Sequence, residues 1–294
     1  MKKAGTYILS FIISLLFIFT LVGSISGLTV YRYANEKKII EMSDERNITG
    51  IVREQLEKYF SQRYSSTGIP AQIYMDAIDD EYLRSVVELK IQRGFAALDG
   101  REKPADINCP ELEKAISGFY SDYAESIGYV KDGKYDEIVA KAKNDAYSVI
   151  NDYCDAYKLN ALEQHGVISK ISPLYRHIGQ LVIGVLAAAA VMLILIVIIN
   201  RKFLSAALYW SGASALLAGI IGTVPCRYLL STDYFGAFTI KQAQVYTAYT
   251  GAMKTVTGAF AASFLAAAII GILLIAMYAA ICLLSKDKTE DAAK

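Results

Sequence analysis

Four uninterrupted apolar stretches constrain the fold of this chain more than any other feature, and they lie at residues 7–28, 178–199, 203–224 and 258–284. None of the four contains Asp, Glu, Lys, Arg or His. Each is close to or above the roughly 20 residues that a helix needs to cross the hydrocarbon core of a bilayer. The sequence therefore predicts an integral membrane protein with four transmembrane helices.

The chain between the first two stretches, residues 29–177, is much more polar than the rest. Residues 32–176 hold 20 Lys/Arg and 25 Asp/Glu, a net charge of −5. The short segments at the opposite ends of the spans are basic instead. They carry seven basic residues (Lys2, Lys3, Arg201, Lys202, Lys286, Lys288 and Lys294) and three acidic ones (Asp287, Glu290 and Asp291).

Short basic segments tend to stay in the cytoplasm, so this distribution predicts the topology of a multi-pass protein of the cell membrane. Both termini, with a tail at 285–294, are expected to be cytoplasmic. Residues 29–177 are expected to be extracytoplasmic. Residues 178–284 are expected to form spans 2 to 4, with an outer loop at 225–257.

Residues 1–28 allow two interpretations. Lys2 and Lys3 followed by an apolar stretch, with small residues at 24–27, also fit a cleaved secretory signal peptide. The apolar stretch is long for a signal peptide, which favours an uncleaved signal-anchor that forms transmembrane helix 1. Both interpretations place residues 29–177 outside the cytoplasm.

Apolar residues recur at helical spacing through residues 29–177, and alternating strand patterns are absent. Asp79 or Asp80 is suited to cap one of these helices and Gly100 to end it, while Asn108 and Pro110 suit the start of the next. The expected fold class is all-α, with an extracytoplasmic helical bundle inserted between spans 1 and 2. Its four apolar stripes are Ile48, Val52, Leu56 and Tyr59; Leu83, Val87, Ile91, Phe95 and Leu98; Leu112, Ile116, Phe119, Tyr123 and Ile127; and Tyr135, Ile138, Ala142, Ala146, Val149, Tyr153 and Tyr157.

This layout resembles that of bacterial helical sensor domains, in which a four-helix bundle lies between two spans. The resemblance concerns architecture alone, and no motif in the chain indicates a named family. Within the outer loop, residues 239–242 fit a capping box, and apolar residues follow at helical spacing. A short separate helix is expected there.

Spans 3 and 4 carry small residues at every fourth position. Such residues form a smooth face that lets two membrane helices approach closely, so the two spans are expected to pack together. The predicted helix-packing residues are Ala207, Ser211, Ala215 and Gly219 in span 3, and Ala259, Ser263, Ala267 and Gly271 in span 4.

Two of the four cysteines, Cys109 and Cys154, fall in the extracytoplasmic segment. A disulfide between them is possible in an oxidising compartment. The alternative is that both are small buried side chains.

The sequence offers little for catalysis. The only two histidines, His165 and His177, have no metal-ligand spacing, and nucleotide-binding and hydrolase motifs are absent. We therefore expect no enzyme activity, no cofactor, no metal site and no nucleic-acid partner.

Tyrosine is concentrated in the extracytoplasmic segment, which holds 14 of the 21 tyrosines. Because tyrosine is enriched at interfaces, those outside the stripes, such as Tyr64, Tyr74 and Tyr82, suggest a binding surface. The leading hypothesis is a membrane protein whose extracytoplasmic domain binds a ligand or a protein partner, as a sensor, scaffold or accessory subunit. The alternative is a channel or transporter component, although the spans lack the ionisable residues that such pathways use.

Overall fold

The computed structural model describes the backbone of residues 2–291 and the side chains of residues 5–284. Residues 292–294 of the predicted tail, including Lys294, lie outside it. The chain is 84% helical, and no strand occurs in the described part. Four helices are long and apolar enough to cross a membrane, at Gly5–Tyr33, Ile178–Ile199, Leu204–Ser231 and Ala243–Leu284. The predicted all-helical, multi-pass membrane protein is confirmed at this level.

The helices are α1 (Lys2–Tyr33), α2 (Glu36–Glu45), α3 (Ile48–Thr67), α4 (Ala71–Met75), α5 (Asp80–Asp99), α6 (Pro110–Ser126), α7 (Gly133–Cys154), α8 (Leu159–Gln164), α9 (Val167–Arg176), α10 (Ile178–Ile199), α11 (Leu204–Ser231) and α12 (Ala243–Asp291). One 3₁₀ turn, Tyr234–Ala237, follows α11. The chain divides into two compact units. The membrane unit contains the residues up to Ala34, His177–Ala237 and the residues from Met253 onward. The inserted unit contains Asn35–Arg176 and Phe238–Ala252.

In the membrane unit, α1 packs along both α10 and α11. Their shared apolar core is formed by Ile13, Phe17, Ala189, Ile196, Ala207 and Trp210. Polar contacts also join these helices. The Asn200 amide donates to Ser10 Oγ over 3.0 Å, and Ser214 Oγ donates to the Ser14 carbonyl over 3.1 Å. These polar contacts between helices add to the apolar packing and favour this arrangement of the three helices.

The separate short helix expected in the outer loop is not present. That segment forms the first turns of α12, which continues without a break into the fourth span. No proline interrupts the chain between Ala243 and Leu284, so nothing in the backbone chemistry ends the helix early. The helix α11 likewise extends past its apolar stretch to Ser231, with Pro225 inside it.

In the inserted unit, helices occur where the four apolar stripes predicted them, and α3, α5, α6 and α7 share one core. The Asp79 carboxylate caps α5 by accepting from the Tyr82 amide over 2.7 Å. Gly100 ends the same helix with a φ of 71°, a left-handed conformation that glycine adopts without strain. The helix α6 begins at Pro110, and the residue at its N-cap is Cys109 rather than the predicted Asn108.

The start of α12 completes this core. Ala248 is fully buried within it, and the Tyr249 hydroxyl donates to the Tyr157 carbonyl over 2.7 Å. The Arg46 guanidinium donates to the Gly251 carbonyl over 2.8 Å. The inserted unit therefore includes the segment Phe238–Ala252, which begins more than 80 residues after Tyr157. The apolar stripes of residues 29–177 did not indicate this contribution.

Four stripe residues lie outside the core, contrary to prediction. Tyr123, Ile127 and Ile138 are 55%, 57% and 50% exposed, and Tyr135 is half-buried but does not contact the core. The buried residues of α7 are Val139, Ala146, Ile150 and Cys154, so Val139 is buried in place of the predicted neighbour Ile138. Near the end of a helix, the spacing of apolar residues is compatible with burial of either of two neighbouring faces. Which face is buried depends on the helices that pack against it.

Candidate functional site

A cavity in the inserted unit lies among α3, α4, α6 and α7 and has a volume of about 610 Å³. We call it the Tyr74 pocket. Its lining residues are Tyr59, Phe60, Arg63, Ser66, Thr67, Ile69, Tyr74, Tyr120, Ile138, Lys141, Ala142, Asp145, Ala146, Ser148 and Val149. Its volume falls within the roughly 300–1,000 Å³ that is usual for small-molecule sites.

Aromatic rings form one wall of the Tyr74 pocket. Phe60 and Tyr74 stack with their centroids 4.0 Å apart and their planes 9° from parallel. Tyr59 meets the edge of Phe60 at 5.6 Å. Tyr74 is only 5% exposed, so its ring is held in place by packing. The stacked pair is therefore a rigid support behind the pocket, and the half-buried rings of Tyr59 and Tyr120 are the ones a ligand can contact.

Charged side chains line the rest of the pocket. Arg63 lies over the Tyr59 ring with its Cζ atom 5.5 Å from the centroid, and Lys141 and Asp145 come from one face of α7. None of the three forms an ion pair with any residue that the structure describes. The pocket thus presents two cations and one carboxylate that are available to a ligand.

The hydroxyls of Tyr74 and Tyr120 are uncharged near neutral pH. Burial raises the pKa of Tyr74 far above its usual range, and the neighbouring Tyr120 and the Asp145 carboxylate raise it further. Burial also raises the pKa of Tyr120, again with a contribution from Asp145. Both hydroxyls therefore remain protonated and can donate hydrogen bonds to a ligand.

Of the tyrosines singled out from the sequence, Tyr74 lies in this pocket, whereas Tyr64 is 55% exposed and Tyr82 is half-buried elsewhere. The sequence did not indicate Arg63, Lys141 or Asp145 as binding residues. Each lies on an ordinary amphipathic helix, and only the packing of α3 against α7 brings them together.

The two cysteines considered for a disulfide are both buried free thiols, and the structure does not bridge them. Cys109 lies at the start of α6, where its thiol donates to the Ala77 carbonyl over 3.5 Å. Cys154 lies at the end of α7 and is 1% exposed. Burial raises the pKa of the Cys154 thiol to about 12.

Alkaline conditions are therefore expected to destabilise the inserted unit. Folding raises the pKa of the Cys154 thiol, so between about pH 9 and 12 the thiol is ionised in the unfolded chain and neutral in the folded one. The folded state therefore keeps its full stability below about pH 9 and loses stability as the pH rises from 9 toward 12. The free energy of unfolding should fall by up to about 1.4 kcal/mol per pH unit in this range. Urea unfolding of the full chain, followed by circular dichroism at several pH values, measures the slope.

The variant Cys154→Ala should show a shallower dependence on pH, because it lacks the buried thiol. A wild-type unfolding free energy that stays constant between pH 9 and 11 would contradict this prediction.

The small residues of spans 3 and 4 have three different kinds of surroundings. Gly219 lies against the backbone of Ala268, and Gly271 lies against Leu216 and the Gly212 carbonyl, so α11 and α12 are close at these positions. Ala207, Ser211 and Ala215 instead line a groove of about 570 Å³ in the membrane unit. Ala259, Ser263 and Ala267 are half-buried, whereas the buried residues of α12 within the apolar stretch 258–284 are Ala261, Phe264, Ala268 and Gly271.

No group of three or more His, Cys, Asp or Glu side chains suited to a metal ion occurs among the described residues. Comparison of the chain with protein-family models, with curated proteins and with solved structures finds no match.

Proposed function

We propose that this chain is a membrane receptor-like protein whose inserted unit is extracytoplasmic and binds a small organic ligand in the Tyr74 pocket, as a sensor or as an accessory subunit of a membrane complex. The observation that carries the proposal is the combination, in one cavity, of stacked aromatic rings with Arg63, Lys141 and Asp145, none of which has an ion-pair partner among the described residues. The basic residues of the short segments at the opposite ends of the spans, among them Lys2, Lys3, Arg201 and Lys202, support the extracytoplasmic placement.

The lining of the pocket indicates the kind of ligand. The half-buried rings of Tyr59 and Tyr120, supported by the stacked Phe60 and Tyr74, favour a flat, apolar moiety. Arg63 and Lys141 favour an anionic group, and a planar guanidinium can bind a carboxylate through two hydrogen bonds. A small aromatic carboxylate meets both requirements.

The test uses the full chain purified in a neutral detergent and a panel of aromatic carboxylates, namely benzoate, 4-hydroxyphenylacetate and indole-3-acetate. Any member that binds only the folded protein should raise the melting temperature in a concentration-dependent way. The double variant Arg63→Gln, Lys141→Gln should lose this increase because the anionic group has no counter-charge. The variant Ala142→Trp should lose it because the indole fills the pocket.

The matched control is Lys134→Gln, since Lys134 is also on α7 and has no ion pair among the described residues but does not line the pocket. It should respond to the panel as the wild type does. The proposal fails if no member of the panel stabilises the wild type, or if stabilisation persists in Ala142→Trp.

A further inference from the structure

The groove in the membrane unit is formed by all four membrane helices. Its rim is open, since Leu193, Leu204 and Ile270 are 41%, 62% and 54% exposed. Its floor is formed largely by the small side chains of α11. The full set of lining residues is Phe17, Leu21, Leu193, Val197, Leu204, Ser205, Ala207, Leu208, Ser211, Ala215, Ile270, Leu274 and Ile281.

The groove is suited to an apolar occupant. Eleven of its thirteen lining residues are apolar, the others being Ser205 and Ser211. The Ser211 hydroxyl already donates to the Ala207 carbonyl of its own helix over 2.7 Å, so it does not require a polar ligand.

The length of the groove matches one leaflet of a bilayer. From Leu204 to Ala215 the axis of α11 rises about 16 Å, which is half of the roughly 30 Å hydrocarbon core. The lining residues Ile270 and Ile281 span the same rise on α12. A partner transmembrane helix would need a surface along the whole core, whereas a single acyl chain occupies one leaflet.

Positive charge lies at one end of the groove. The turn between α10 and α11 joins the lining residues Val197 and Leu204, and it carries Arg201 and Lys202, which are exposed and form no ion pair among the described residues. The sequence has no Asp or Glu between Glu163 and Asp233 that could neutralise them nearby along the chain.

Two features of the turn support an anion at this position. Asn200 is 7% exposed and donates to Ser10 Oγ and to the Ile196 carbonyl, which holds the turn against α1. The helix α11 starts at Leu204 without a side-chain cap from Phe203, so the partial positive charge of its first amides adds to that of the two cations.

We propose that this groove is a binding site for an anionic phospholipid, with one acyl chain lying along Ala207, Ser211 and Ala215 and the phosphate next to Arg201 and Lys202. Basic residues between membrane helices are a general means of binding anionic head groups. The site is separate from the Tyr74 pocket and does not depend on the function proposed for that pocket.

Trp210 gives a direct measurement, because it is the only tryptophan in the chain and is adjacent to Ser211. The full-length protein is reconstituted into phosphatidylcholine vesicles that contain a small fraction of brominated lipid, which quenches tryptophan on contact. Brominated phosphatidylglycerol should quench Trp210 more strongly than brominated phosphatidylcholine at the same fraction. Unlabelled phosphatidylglycerol should reverse the additional quenching.

Variants separate the head-group site from the chain site. The double variant Arg201→Gln, Lys202→Gln should lose the preference for phosphatidylglycerol, whereas Ser211→Leu should reduce quenching by both lipids because it fills the floor of the groove. The control is Arg227→Gln, since Arg227 is an exposed cation at the opposite end of α11. It should keep the wild-type preference.

Equal quenching of the wild-type protein by the two brominated lipids would overturn the proposal, and this comparison needs no variant to fold. A loss of preference in Arg227→Gln equal to that in the double variant would also overturn it, because the effect would then be general attraction to a charged surface. Unchanged quenching in Ser211→Leu would show that the chain lies elsewhere.

Discussion

Replacing Gly219 or Gly271 with alanine is expected to force α11 and α12 apart and to destabilise the membrane unit by about 1–3 kcal/mol or more. A Cβ atom at Gly219 would lie 2.5 Å from the Ala268 nitrogen and 2.7 Å from its Cα atom. At Gly271 it would lie 2.7 Å from the Gly212 carbonyl oxygen and 2.8 Å from Leu216 Cα. Because these neighbours are backbone atoms, no change of side-chain rotamer relieves the contact. The melting temperature of the full chain in detergent measures the loss.

Gly258 provides the matched control, because it lies in the same helix as Gly271 and a Cβ atom there would meet no atom within 4 Å beyond its own helical turns. Gly258→Ala should be neutral or should stabilise the protein by up to about 1 kcal/mol, since alanine favours the helix. Equal effects at Gly258 and Gly271 would mean that helix propensity, and not close packing, determines the result.

The variant Ile91→Asp is expected to unfold the inserted unit. Ile91 is 2% exposed and lies in the core shared by α3, α5, α6 and α7. A carboxylate at this position would be desolvated without a compensating ion pair, at a cost of several kcal/mol, which is comparable with the whole stability of a small domain. Circular dichroism of the full chain should show a loss of helix, and limited proteolysis should cut within residues 35–176.

Ile127→Asp makes the same chemical change at a residue that the sequence also assigned to an apolar stripe. Ile127 is 57% exposed, so the change should alter the free energy of unfolding by no more than about 0.5 kcal/mol. If both variants unfold, or neither does, then the burial pattern of the inserted unit is incorrect.

The parts of the fold that were predictable depend on signals within one segment of the chain. The apolar stretches indicated the four membrane helices, and Asp79 and Gly100 indicated the two ends of α5. The predictions that were wrong relied on local signals for features that such signals do not determine, such as the length of a helix. The loop segment after residue 238 was expected to form a separate helix, but capping patterns show where a helix can start and not whether it continues.

The candidate site was only slightly predictable. Tyr74 was singled out because it falls outside the apolar stripes, yet the charged residues Arg63, Lys141 and Asp145 look like ordinary solvated positions in the sequence. They line one cavity because α3 and α7, which are far apart in the chain, pack against each other. The spacing of residues within one helix cannot predict that α3 and α7 pack against each other.

The sequence alone determined that the protein is all-helical and spans the membrane, because a backbone in hydrocarbon must satisfy its hydrogen bonds within each apolar segment. Tertiary structure decided which faces of those helices are buried, since the choice depends on contacts between distant segments. It divided the small residues of α11 between a close contact at Gly219 and the floor of a groove at Ala207, Ser211 and Ala215. It also brought Ala248 of α12 into the core of the inserted unit, since the contact joins segments that are far apart in the chain.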